Sequence, residues 1–286
     1  MTGQRHPLGP GLYFIATPIG AARDITLRAL DILASADVIA AEDTRSLRHL
    51  MDIHGVALGD RPLLAYHDHN GERVRPRILA ALAEGKSVAY ASEAGTPLVA
   101  DPGFQLGRAV IAAGHQVISA PGPSAVLAAL TVSGLPSDRF LFAGFAPSSG
   151  SQRRTWLKEL AALPATLILY ESPKRLQALL TDIHLVFGAD RKAAICRELT
   201  KKFEEVTRGT VAELISAYAD RTVKGEIVVV IDRAGVQSAK PADIEAALRE
   251  AMECHSIKDS ATLVSQALGL PRRQVYQIAL KLAGDG

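Results

Sequence analysis

The chain has 286 residues, enough for two domains. A hydrophobic fraction of 48% and a charged fraction of 22% belong to a globular protein, and a net charge of +2 excludes a bulk-basic nucleic-acid binder. The two cysteines, Cys196 and Cys254, lie far apart with no CxxC, which gives neither a disulfide framework nor a zinc cluster. No segment reads as a signal peptide or a membrane span, so the expected location is the cytoplasm.

The first ten residues are rich in Gly and Pro and read as loose. Strand and helix signals then alternate. Residues 12–16 predict a strand ended by the turn Thr17-Pro18-Ile19-Gly20, and Leu27, Leu30 and Ala34 have helical spacing. Val38–Ala41 predicts a second strand. Leu47, Leu50, Met51 and His54 fall at i, i+3, i+4 and i+7, an amphipathic helix closed by Gly55. Strands are predicted at 63–66, 87–91 and 116–119, with helices between them, one of which holds residues 78–83. This alternation specifies an α/β sheet with many parallel strands, whose ligand sites lie at strand ends.

A break falls at Ala120-Pro121-Gly122-Pro123. Beyond it, strands at 140–142, 166–170, 193–196 and 227–231, with helices at 154–162, 175–186 and 211–218, predict a second α/β domain. The expected division is 1–120, 121–235 and, after a polar stretch at 234–240, a helical tail at 241–286. In the tail, Ile244, Ala247, Leu248 and Ala251 suggest one helix. Ala261, Val264 and Leu268 suggest a second, ended by Gly269, and Pro271 opens a third with Val275, Ile278 and Leu282 on one face. Residues 263–279 resemble a helix-turn-helix; a small packing bundle fits them equally well.

Four polar motifs sit at strand ends. Ser92-Glu93-Ala94-Gly95-Thr96-Pro97, continuing to Asp101-Pro102-Gly103, is a tight loop that can bring backbone N–H and C=O groups to a ligand. Pro121-Gly122-Pro123-Ser124-Ala125 places Ser124 to cap a helix. The others are Tyr170-Glu171-Ser172-Pro173 and Gly225-Glu226-Ile227. Each alone reads as a connecting turn; four, spread over two domains, suggest an interdomain ligand cleft.

Charged clusters accompany them. Glu42-Asp43-Thr44-Arg45 and His67-Asp68-His69-Asn70 each end a strand, and Arg197-Glu198-Leu199-Thr200-Lys201 follows one in the second domain. His67 and His69 are spaced for metal ligation, but no third ligand is evident, and a general base or phosphate-positioning role fits as well. Basic residues are dense from Arg153 to Arg208; they bear on function only if they border the same cleft, and otherwise form a solvated surface. The G-x-G-x-x-G, P-loop and G-x-S-x-G fingerprints are absent, as is the usual glycine-rich methyltransferase loop.

Taken in order, these motifs, together with Gly134-Leu135-Pro136-Ser137-Asp138-Arg139-Phe140, resemble the ribosomal small subunit methyltransferase I family of the tetrapyrrole methylase superfamily. The resemblance runs from about Gly11 to the end of the chain. It implies a two-domain α/β fold with an interdomain cleft and a helix-turn-helix-like tail, usually in a homodimer. It also implies 2′-O-methylation of a cytidine in the decoding region of 16S rRNA, with S-adenosylmethionine as cofactor; no residue is assigned to a metal. By this analogy the cofactor meets Pro18 and Gly20; Ser92, Glu93, Ala94, Gly95, Thr96 and Pro97; Ser124 and Ala125; Tyr170, Glu171 and Ser172; and Gly225, Glu226 and Ile227. The sequence departs from the family pattern at Ala21, usually Asn, and at Glu93, usually Asp.

In-line methyl transfer to a 2′-hydroxyl rests on positioning and on removal of a proton. Glu42, Asp43, His67, His69 and Glu198 are the candidate bases, and Arg45, Arg197 and Lys201 the candidates for holding RNA. Two other functions are weighed: methylation of a small tetrapyrrole, which shares the superfamily fold but which the motifs at 42–45 and 67–70 and the tail argue against, and non-catalytic RNA or ribosome binding through the tail.

Overall fold

The computed structural model describes residues 7–67, 69–234, 241–268, 270 and 272–284. Asp68, Gly269, Pro271, the first six residues and most of the polar stretch before the tail lie outside these.

The first sheet contains β1 (Gly11–Ile15), β2 (Val38–Ala41), β3 (Leu63–Ala65), β4 (Ser87–Ala91) and β5 (Val117–Ala120) in the order β3-β2-β4-β1-β5. Every pairing is parallel, as the alternation of strand and helix requires. Both faces are covered. Helices α1 (Leu27–Ser35) and α2 (Thr44–Ile53) bury Leu30, Leu33, Leu47 and Met51 against Tyr13, Ile15 and Ile39. On the opposite face, α3 (Gly71–Ala83) and α4 (Phe104–Ala112) bury Ile78, Leu82, Leu106 and Val110 against Leu12, Phe14, Val88 and Tyr90. Burial on two sides explains why β4, Ser-Val-Ala-Tyr-Ala, is buried throughout.

The second sheet contains β6 (Phe140–Phe145), β7 (Thr166–Glu171), β8 (Lys192–Arg197), β9 (Glu205–Thr210) and β10 (Ile227–Ile231) in the order β6-β7-β10-β8-β9. Only β6 and β7 pair in parallel; the remaining pairs are antiparallel. The sheet is therefore mixed, and β9 was not among the expected strands. Its sequence, Glu-Val-Thr-Arg-Gly-Thr, lacks an apolar face because it is a half-exposed edge. Helix α5 (Ala125–Ser133) packs on one face, through Val126, Ala129 and Leu130. On the other lie α6 (Gly150–Ala161), α7 (Leu176–Phe187) and α8 (Val211–Tyr218).

The tail forms α9 (Pro241–Met252), α10 (Ile257–Leu268) and α11 (Arg272–Gly284). Their apolar stripes close on a core of their own, built on Ile244, Leu248, Ala261, Val264, Val275 and Ala279. Among the described residues, no helix is long and apolar enough to cross a membrane.

Candidate active site

The site starts with a contact between two turns. Thr17, just past β1, and Gly95, past β4, form an antiparallel bridge in which each backbone N–H donates to the other's carbonyl, at 2.9 and 3.0 Å. The Thr17 hydroxyl donates to the Ser92 carbonyl at 3.2 Å, and Gly95 takes φ +84°, which a side chain would oppose. Thr96 then reaches the loop before α5, its Oγ1 donating to the Pro123 carbonyl at 2.9 Å. Beyond it the loop is strained: Leu98 and Ala100 have φ of +72° and +61°.

The second sheet supplies its residues along one row. Ile227 faces Glu171 on β7 and Arg197 on β8, and Arg197 faces Glu205 on β9. The end of β7, the start of β10 and the end of β8 therefore share one edge. The loop after β8 is fixed by charge. Glu198 Oε1 accepts from the Glu226 backbone and from Lys201 Nζ, both at 3.0 Å, and Lys201 also pairs with the Glu226 carboxylate. The Glu226 N–H is the first cause holding the Glu198 carboxyl below its usual range. Gly225 is required here, because a Cβ would run into the Glu198 carboxyl. Gly20 meets the same loop: its Cβ would lie 2.5 Å from Lys201 Cγ, and the neighbouring Ala21 N–H donates to Thr200 Oγ1 at 3.1 Å.

Between these edges lies a cleft of about 390 Å³. The loops after the strands of the first sheet line it with Ile19, Ala94, Gly95, Thr96, Val99 and Asp101. Beyond these in the chain come Ser124 and Ala125, then Tyr170, Glu171 and Ser172, then Gly225, Glu226 and Ile227. Pro18, Gly20, Ser92, Glu93 and Pro97 stand within two residues of lining residues in the chain without lining the cleft themselves. Ser124 stands at the N-cap of α5, but its side chain makes no capping hydrogen bond; the expected cap is absent. The buried carboxylate of Glu171 accepts through Oε1 from the Ser172 N–H at 2.8 Å and faces Arg175 at 3.3 Å, while its buried Oε2 has no hydrogen-bond partner.

None of the residues expected as bases or RNA contacts lines the cleft. Asp43 caps α2, accepting from the Arg45 and Ser46 backbone, and pairs with the Arg45 side chain, which is 91% exposed. That guanidinium holds the Asp43 carboxyl below its usual range. Glu42 Oε2 accepts from the Glu93 N–H at 3.2 Å. His67 has a buried Nδ1 without a hydrogen-bond partner, and its ring lies 6.0 Å from that of His69. Arg197 is tied to Glu205 at 3.1 Å. In the basic run, Arg153 is buried against Asp182 at 2.6 Å, so this part of the run is structural.

Sequence reasoning did not assign a role to Asp101. Burial, with the carboxylates of Glu42 and Glu93 nearby, pushes its carboxyl up to about 7 against a hydrogen bond from Ser92. From the second domain, Tyr170 is pushed up to about 12, by burial first and then by the Asp101 charge. The motif Asp101-Pro102-Gly103 was visible, but the strain and the carboxylate cluster around it were not.

Comparison with known proteins identifies the class. The tetrapyrrole (corrin/porphyrin) methylase family matches residues 11–215, and the RsmI C-terminal HTH domain matches residues 238–283. A ribosomal RNA small subunit methyltransferase I from Mesorhizobium japonicum is 48% identical, covering 98% of this chain and 96% of its own. Proteins of the same name from Xylella fastidiosa and Escherichia coli are 45% and 40% identical, covering 93% and 96% of this chain and 98% and 96% of their own. The fold is shared with the methyltransferase CobJ at a TM-score of 0.59 and 19% identity, covering 78% of this chain and 94% of that one. It is also shared with a Thermus thermophilus uroporphyrin-III C-methyltransferase in complex with S-adenosylhomocysteine, at a TM-score of 0.55 and 17% identity, covering 78% and 98%. The chain belongs to the tetrapyrrole methylase family and so is an enzyme of the methyltransferase class; within that family it belongs with the ribosomal RNA small subunit methyltransferases I.

Proposed function

We propose that this protein transfers a methyl group from S-adenosylmethionine to the ribose 2′-hydroxyl of a cytidine in the decoding region of 16S rRNA. The observation that carries this reading is the interdomain cleft. Its volume of about 390 Å³ falls within the ~300–1,000 Å³ of small-molecule sites. Its walls are mainly apolar, its turns present backbone groups, and the unpartnered Glu171 Oε2 offers an acceptor to a hydroxyl or amine. These features fit a cofactor with an adenosine and an amino-acid end, held by the loops at 94–96, 124–125, 170–172 and 225–227. When bound, it supplies a methyl group on a sulfonium.

The relatives' name supports small-subunit rRNA as the substrate. The exposed Arg45 is available to a phosphate, whereas Arg197 and Lys201 act by fixing the loop after β8 that the RNA would approach. The target nucleotide would leave its stack to reach the cleft. Of the candidate bases, Asp43, Glu198 and Glu42 are already committed to hydrogen bonds, while the His67 Nδ1 has no hydrogen-bond partner. The tail helices add a second RNA contact, and the enzyme works as a homodimer in the cytoplasm.

Two experiments test the reading. Mass mapping of methylated ribose in rRNA from cells with and without the gene should show one cytidine losing its methyl group. Labelled cofactor offered with small ribosomal subunits or a corrinoid precursor should label the subunit. Label in the corrinoid alone, or no cofactor binding in calorimetry, overturns the proposal.

A further inference from the structure

A second cavity, of about 300 Å³, adjoins the cleft, and Ile19 and Ser124 line both. Asp24, Thr26, Gly122, Pro123, Ala128 and Thr200 complete it, and none of these reaches the cofactor cleft. Asp24 closes a short 3₁₀ turn, Ala22–Asp24, that is tied down on several sides. Its N–H donates to the Ala21 carbonyl at 3.0 Å, and the Ala21 N–H donates to Thr200 Oγ1, in the loop after β8, at 3.1 Å. His54, at the end of α2, brings its Nε2 within 2.8 Å of the Ala22 carbonyl. The backbone at Asp24 is thus fixed, yet its exposed carboxylate has no hydrogen-bond or ion-pair partner among the described residues.

The other polar atoms of the cavity are hydroxyls. Thr26 Oγ1 accepts from the Ala29 N–H and Thr200 Oγ1 from the Ala21 N–H, each at 3.1 Å, which leaves both hydroxyl hydrogens to donate. Ser124 makes no capping bond, so its hydroxyl is free to donate as well. Ile19, Gly122, Pro123 and Ala128 supply the apolar remainder. One anionic acceptor and three donors therefore stand beside the place of methyl transfer.

We propose that this cavity receives the base of the target nucleotide and that Asp24 reads it as cytosine. The inference rests on the ribose-methylation reading above. The pairing edge of cytosine offers one donor, the N4 amino group, and two acceptors, N3 and O2. A carboxylate accepts from N4, the contact by which acidic side chains recognise cytosine, and hydroxyls donate to N3 and O2. Uracil reverses the first two positions: its O4 would meet the carboxylate acceptor against acceptor. Adenine shares the amino group and the ring acceptor but carries a hydrogen where cytosine has O2, so one hydroxyl would go unanswered.

The placement suits the task. A base flipped into this cavity leaves its ribose near Ile19 and Ser124, the boundary shared with the cofactor cleft. The carboxylate is open to solvent until a base covers it, so it costs nothing in the free enzyme. Once covered, it is satisfied by an amino group and left unpaired by a carbonyl, and an unpaired buried charge is the larger penalty.

The test is a ratio rather than a rate. Small ribosomal subunits are assembled with either cytidine or uridine at the methylated position and offered with labelled S-adenosylmethionine. Wild type should favour the cytidine subunits in kcat/KM on the order of 10–100-fold. The Asp24→Asn variant, whose amide can turn either its oxygen or its NH₂ group to the base, should bring that ratio close to one while keeping wild-type cofactor affinity in calorimetry. A purely structural role for Asp24 would slow both subunits together and leave the ratio where it was. An unchanged ratio in the variant overturns the role of Asp24. So does a wild type that methylates both subunits equally, a comparison that needs no variant to fold. If wild type labels neither subunit, the ribose-methylation reading falls, and the role of the cavity with it.

Discussion

In the first sheet all five strands run the same way, so each loop that follows a strand falls on a single edge. In the second, β10 runs antiparallel to both neighbours, so the cleft collects the ends of β7 and β8 and the start of β10. The chemistry of the two edges differs as well. The first presents carboxylates that repel one another, Glu42, Glu93 and Asp101, around a strained loop. The second presents charges already neutralised: Glu198 with Lys201, and Glu205 with Arg197 and Arg221. One wall of the cleft is poised to change protonation, and the other is built to hold still.

The largest expected effect comes from breaking the buried ion pair between α6 and α7. Asp182→Ala strands the buried Arg153 guanidinium and should cost about 3–5 kcal/mol in denaturant unfolding, with cofactor affinity of the folded fraction unchanged. Gly225→Ala puts a methyl group at φ +92° against Glu198. It should cost about 1–3 kcal/mol and, unlike Asp182→Ala, weaken cofactor binding in calorimetry. Thr210 and Glu213 form a capping box at the start of α8, and Thr210→Ala should remove about 1 kcal/mol with no effect on binding.

The smaller effects concern pH. Glu205 is held at about 2, by Arg221 first and then by Arg197. A depressed carboxylate contributes stability that is complete above its unfolded value and lost as pH falls through the folded one. The Tm advantage of wild type over Glu205→Gln should therefore be full at neutral pH, shrink below about 4.5 and vanish near 2. On the opposite wall, Glu42→Gln removes a charge that raises the Asp101 carboxyl. The pH at which the Asp101 carboxyl titrates, read by carbon-labelled aspartate NMR, should then fall, while the thermal midpoint stays close to wild type. An unmoved titration would separate Glu42 from Asp101.

The parallel half was largely legible because its strands are buried on both faces and read as apolar runs between helices. Val38–Ala41 and Ser87–Ala91 fall where their sequences place them. The mixed half was less so. β9 carries Glu205, Arg208 and two threonines at an edge that needs no apolar pattern, and antiparallel pairing of β10 depends on contacts distant in the chain. At the cleft, motif order pointed to the loops at 94–96 and 225–227, because glycine and proline leave a mark in sequence. Asp101 gained its significance only from neighbours brought in from other strands. Ser124 shows the opposite error: the right residue type stands at the start of α5 without making the bond it could make.

The order of strands also bears on how the chain is made. β1 emerges first but pairs only with β4 and β5, and β10, the last strand of its sheet, sits between β7 and β8. Neither sheet can zip up progressively behind the ribosome; each waits for a distant segment to arrive. The floor of the cleft at Ile227 is thus laid last, when nearly the whole of the second domain has been synthesised. A nascent chain halted before residue 227 would hold β7 and β8 without the strand that joins them, and would have no cleft to offer.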